Sequence, residues 1–142
     1  FLFSILFFST FISAQNIAVH DMIGKKQNEV IKVYGTPVHK DNSNPEMLCM
    51  YYKTNNSTMI FVANAAGVYQ AEATKTLDTE PAARNEIDVF ISNSIEHGFS
   101  VDTVTTSDFH LSKKGTKVDL QVSDNKLSNK YDIRVKAVKS ED

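Results

Sequence analysis

From Asp21 to Tyr34 the apolar positions Ile23, Val30, Ile31 and Tyr34 return to one side of a helix, while Lys25, Lys26, Asn28 and Glu29 fall largely elsewhere. Gly35-Thr36-Pro37 predicts the stop, because glycine takes the left-handed cap and proline cannot continue a helix. The polar stretch Lys40 to Pro45 reads as a loop. Two runs of strand-forming residues follow, Met47 to Lys53 and Thr58 to Ala63, around the turn signal Thr54-Asn55-Asn56-Ser57. They read as a hairpin. After a second turn at Asn64-Ala65-Ala66-Gly67, Val68 to Thr76 makes a third strand.

Pro81 suits the first turn of a second helix that runs to about His97 and ends at Gly98. Its expected apolar stripe is Ile87, Phe90, Ile91 and Ile95, with Arg84, Glu86, Asn93 and Glu96 opposite. Beyond Gly98 the period falls to two. Val118, Leu120 and Val122 alternate with Asp119 and Gln121, and Tyr131, Ile133, Val135 and Ala137 alternate with Asp132, Arg134 and Lys136, the signature of antiparallel strands with one wet face. One more strand is expected between Ser100 and Leu111, and Ser123 to Lys130 reads as a hairpin loop.

The expected fold class is therefore α+β: an antiparallel sheet with two helices packed on one face, in the order α-β-β-β-α-β-β-β. The repeated order suggests an internal duplication with halves of about 16–79 and 80–142.

Phe1 to Ala14, FLFSILFFSTFISA, holds ten apolar residues and no charge. Its length fits the apolar region of a secretory signal and falls short of the roughly 20 residues of a membrane span. Residues 1–15 are thus expected to be a signal peptide, and 16–142 a single α+β domain that works in the periplasm or outside the cell. Cys49 is the one cysteine, which excludes an intramolecular disulfide. Between Leu48 and Met50 it reads as a small buried hydrophobe. Its distance from the signal excludes it as a lipid-bearing first residue, so no lipid anchor is expected. A formal net charge of −2 lacks the basic excess of a nucleic-acid binder.

Three segments, IGKKQNEVIKVYGTPV (Ile23 to Val38), MYYK (Met50 to Lys53) and MIFVANAAGVYQAE (Met59 to Glu72), carry a family resemblance. Together they resemble the SmpA/OmlA family of bacterial envelope proteins and the related β-lactamase inhibitor proteins, over Ile23 to about Thr76. The matching points are Gly24 before a short helix, Val30, the Gly35-Thr36-Pro37 stop, the aromatic strand and Asn64-Ala65-Ala66-Gly67-Val68. The resemblance implies a small helix-plus-sheet module that binds other proteins. Two features depart from the family pattern: Lys25 follows the first glycine where a small or hydroxyl residue is usual, and the lipid-attachment cysteine is missing.

Chemistry is thinly signalled. His20, His39, His97 and His110 are isolated from one another, with no metal-ligand spacing, and no cofactor is expected. His97 reads as a cation at a helix C-terminus, His39 as a loop residue, and His20 and His110 as surface or strand-edge positions. No G-x-S-x-G elbow or phosphate loop is present. The informative feature is that the first strands are apolar in both phases. If Met59 and Phe61 face the helices, Leu48, Met50, Tyr52, Ile60 and Val62 form a second face. Exposed, that face is a contact surface, and Tyr51, Tyr52, Tyr69, Met50, Ile60 and Val62 are its candidate binding residues. The function expected is a non-catalytic exported bacterial protein that binds another envelope or secreted protein through its sheet. The alternatives are a carrier of a small apolar ligand or lipid, and a hydrolase.

Overall fold

The computed structural model describes residues 16–141. The expected signal segment lies outside them. A 3-10 turn (Val19–Met22) and helix α1 (Gln27–Tyr34) precede strands β1 (His39–Asp41), β2 (Leu48–Lys53), β3 (Ser57–Asn64) and β4 (Gly67–Leu77). Helix α2 (Glu80–Glu96) is followed by β5 (Ser100–Thr105), β6 (Asp108–Lys113), β7 (Thr116–Asn125) and β8 (Lys130–Lys139). The strands form one antiparallel sheet in the order β1-β2-β3-β4-β8-β7-β6-β5, so two meanders meet where β4 pairs with β8.

This corrects the expected α-β-β-β-α-β-β-β order and its duplication of three-stranded halves. Four strands follow each helix. β1 lies in the stretch that reads as a loop, because it is three polar residues without alternation. The Thr-rich stretch after Gly98 contains a whole hairpin, β5 and β6, where one strand was expected. The two-helix layer is corrected as well. Over the central strands β4 and β8 lie the 3-10 turn and α2, whereas α1 reaches β2 and β3 through Tyr34, whose ring lies 5.7 Å from Tyr52 and 4.9 Å from Phe61.

The expected first helix is broken for a physical reason. Gly24 takes φ +84°, and its N–H donates to the Val68 carbonyl at 2.8 Å, while Val68 N–H donates to the Lys25 carbonyl at 2.8 Å. Those peptides bond across to β4 and cannot serve a helix. α1 starts only at Gln27, where Glu29 reaches back to accept from the Lys26 N–H at 3.1 Å. For α2 the sequence signals hold: Thr79 accepts from the Ala82 N–H at 3.2 Å, Pro81 sits in the first turn, and Gly98 at φ +91° follows the end.

The register explains the core. Met50 pairs with Phe61 and Tyr52 with Met59, and these pair onward with Ala71 and Ala73 of β4. Ala71 and Ala73 meet Ala137 and Val135 of β8, which meet Val118 and Leu120 of β7. All are buried. Alanines concentrate on β4 and β8, where the 3-10 turn and α2 press against the sheet, and large side chains fill the flanks, so the layers interdigitate at close packing. On α2 the buried stripe is Ala83, Ile87, Phe90 and Ser94; Ile95, expected inside, is 55% exposed.

Candidate functional site on the open sheet face

The same register decides which residues look outward. Tyr52 and Met50 oppose Met59 and Phe61, so Met50 and Tyr52 belong to the core face and not to a second surface. This corrects two expected binding residues. Periodicity sets the phase of each strand separately, and the cross-strand pairing offsets β2 from β3 by one. Tyr52 is further tied inward, its hydroxyl donating to the Gly35 carbonyl at 2.8 Å, and burial raises its pKa. Leu48 pairs with Ala63 and packs against the core from its margin.

The outward residues of β2 and β3 are Cys49 with Val62, and Tyr51 with Ile60. Cys49 is half-buried there, which corrects its reading as a core residue; its Sγ approaches the Met47 carbonyl at 3.7 Å. A bulge after Val62 leaves Tyr69 without a direct partner on β3, and its hydroxyl donates to the Glu46 carbonyl at 3.0 Å. Tyr51, Val62 and Tyr69 are half-buried and Ile60 is 38% exposed. Four expected binding residues thus share one patch on the first half of the sheet.

Across the second half the outward face turns polar. One continuous row runs His39, Tyr51, Ile60, Glu72, Lys136, Asp119, His110 and Asp102, each the register partner of the next. Charges alternate along it, as favourable cross-strand pairs require. His110 Nδ1 lies 3.3 Å from an Asp119 carboxylate oxygen, and its Nε2 lies 3.8 Å from Asp108. A shallow trough of about 570 Å³ lies over this end, bordered by Ser100, Asp102, His110, Ser112 and Asp119. Among the described residues no group of three or more His, Cys, Asp or Glu is arranged to hold a metal ion.

The site that sequence reasoning missed lies on the other side. His20, expected at the surface, is 3% exposed and sits between Phe90 at 4.6 Å and Phe99 at 5.0 Å. Ser94 Oγ spends its proton on the Phe90 carbonyl at 2.7 Å, so it accepts from His20 Nε2–H at 2.9 Å. That fixes the tautomer and leaves Nδ1 buried with no hydrogen-bond partner among the described residues. Desolvation lowers the imidazole pKa from 6.5 to about 4, against the opposing pull of Asp21. Asp21 instead accepts from His97 Nδ1–H at 3.2 Å, which joins the 3-10 turn to the end of α2. The cavity beside them measures about 50 Å³. Ser94 donates inward to its own helix and His20 is held as a neutral donor, so neither is poised for nucleophilic attack. The sole sequence clue was a polar Ser94 at a stripe position of α2.

No protein-family model and no curated protein matches the chain. Among solved structures, it is similar to an extracellular protein containing a SCP domain from Bacillus anthracis str. Ames, at 12% identity and a TM-score of 0.48 over 85% of this chain and 45% of that one. It is also similar to a cysteine-rich secretory protein from Staphylococcus aureus, at 11% identity and a TM-score of 0.41 over 81% of this chain and 44% of that one. The chain thus spans less than half the length of either. Among the described residues no helix is long and apolar enough to cross a membrane.

Proposed function

We propose that this chain is an exported, non-catalytic binding module that engages another envelope or secreted protein through the open face of its sheet. The observation that carries this reading is the outward row from Tyr51 to Asp102, in which Tyr51 and Glu72 are half-buried and Ile60, Lys136, Asp119, His110 and Asp102 are exposed, and which joins an apolar patch to an ordered array of charges. An apolar centre with aromatic residues beside a polar margin is the composition of a protein contact surface. The resemblance of Ile23 to Thr76 to SmpA/OmlA-like envelope proteins points the same way. The cavity beside His20 has no room for a lipid, and its lining includes Asn16, Asp21, Asn93 and His97.

The test is a photo-crosslinking amino acid placed at Ile60 in the native host, with the same group at Leu127, a fully exposed turn residue, as reference. A discrete protein adduct at position 60 and none at 127 supports the reading. Identical adduct patterns at both positions sink it.

A further inference from the structure

We infer that the β5 edge pairs with the β5 edge of a second copy of this chain, about a two-fold axis at Val101, so that two eight-stranded sheets become one. This goes beyond the proposed function and does not rest on it. The two edges of the sheet are β1 and β5, and they are built differently. β1 is three residues, His39-Lys40-Asp41, with Pro37 before it and Pro45 after it. A short charged edge near prolines resists pairing. β5 is six residues, Ser-Val-Asp-Thr-Val-Thr, with four β-branched side chains, a single charge, and neither lysine nor proline. Every residue of it except Val101 is exposed.

An edge strand directs the N–H and C=O of alternate residues away from its neighbour, so among the described residues β5 offers an unused hydrogen-bonding ladder. Both ends of that edge are held. Ser100 Oγ donates to the Ser112 carbonyl at 3.1 Å, and Arg84 of α2 donates to the Thr106 carbonyl and toward Ser107 Oγ in the turn beyond. The strand is presented in an extended form, which removes much of the ordering cost of association.

The register follows from the residues. Opposed residues in an antiparallel pair share a sheet face, so a two-fold axis between identical strands passes through a residue. An axis through Asp102 sets two carboxylates against each other. An axis through Thr103 brings the β5 bulge, between Thr103 and Thr105, into the ladder. An axis through Val101 avoids both. Val101 pairs with buried Leu111, so it lies on the core side, and Ser100 and Asp102 lie on the open side. With Val101 opposite Val101, each Ser100 lies opposite the Asp102 of the other copy, twice per dimer, and no two carboxylates meet; a Ser100 hydroxyl that turns from the Ser112 carbonyl can donate to that carboxylate.

The experiment is sedimentation velocity of the full chain across micromolar to millimolar concentration. We expect a reversible dimer. Ser100→Lys alone sets a cation opposite each Asp102 and tightens it, whereas Ser100→Lys with Asp102→Lys sets lysine opposite lysine and weakens it by about tenfold or more. Both positions are exposed, and thermal melts of each variant against wild type check that losing the Ser100–Ser112 bond leaves the strand folded. In a Cys49→Ser background, Val101→Cys is expected to form an intermolecular disulfide on mild oxidation and Asp102→Cys is not. A monomer at every concentration, a dimer indifferent to the lysine pair, or equal cross-linking at 101 and 102 overturns the inference.

Discussion

Gly24 and Gly67 are in backbone contact: a Cβ on Gly67 would lie 2.7 Å from the Gly24 carbonyl oxygen and 2.9 Å from the Lys25 carbonyl oxygen. The chain crosses the β3–β4 turn here, locked by the paired bonds of Gly24 and Lys25 with Val68. The two glycines that stood out in sequence are therefore two halves of one junction. Gly67 also takes φ +117°, a conformation that L side chains rarely adopt.

Gly67→Ala is therefore expected to cost about 3 kcal/mol or more, since left-handed strain adds to a clash with backbone that cannot swing aside. Gly24→Ala is the contrast. Its φ of +84° is unfavourable for alanine, yet nothing lies within 4 Å of the added carbon, so about 1 kcal/mol is expected. Urea denaturation of the two variants measures the difference. Equal losses would show that the close approach contributes nothing.

His20 makes stability depend on pH in a defined window. Its pKa is about 4 folded against 6.5 in a free chain, so between those values the unfolded state binds more protons. The contribution is complete above pH 6.5 and declines as pH falls toward 4, by a total on the order of 3 kcal/mol. Asp21 of the 3-10 turn, His97 at the end of α2 and Lys113 of β6 shape this titration. The urea midpoint should fall already between pH 6.5 and 5, where most carboxylates remain ionised. His20→Gln, less stable at pH 7, should show a flatter profile over that interval. A wild-type midpoint constant from pH 7 to 5 would refute the assignment.

The partition of the aromatic pair Tyr51 and Tyr52 gives a third test. Tyr52→Ala empties a core position beside Tyr34 and Phe61 and is expected to cost about 3–5 kcal/mol. Tyr52→Phe loses only the bond to the Gly35 carbonyl, about 1 kcal/mol. Ile60→Asp, on the open face but directly opposite Glu72, should cost about 1–2 kcal/mol, less than Tyr52→Ala. Thermal melts that rank Ile60→Asp as the most damaging of the three would reverse the assignment of faces.

That partition also shows what the sequence makes legible. The alternation of Val118, Leu120, Ile133, Val135 and Ala137 with polar residues fixed the inner face of β7 and β8, because one side of those strands is wet. On β2 and β3 both phases are apolar, so periodicity alone left Met50 and Ile60 equivalent, and only pairing across strands separates them. The break at Gly24 and the burial of His20 depend on Val68 and Ser94, which lie more than 40 residues away in sequence. β1 and the β5–β6 hairpin were hidden by composition: three polar residues in one case, and a threonine run with no alternating pattern in the other.

A last expectation concerns how α2 is held. Lys75 Nζ donates to Glu86 at 2.7 Å, with the lysine side chain 11% exposed and the carboxylate 27% exposed. The pair ties β4 to the middle of α2, near the junction with β8. Removing one partner leaves the other charge partly desolvated, which costs more than the pair itself contributes. Glu86→Ala is therefore expected to destabilise by about 1–3 kcal/mol. The double variant Lys75→Met with Glu86→Leu should recover most of that loss, because apolar groups of similar volume leave no stranded charge. A double-mutant cycle by urea denaturation decides the matter. Strict additivity of the two single losses would mean that the ion pair carries no coupling.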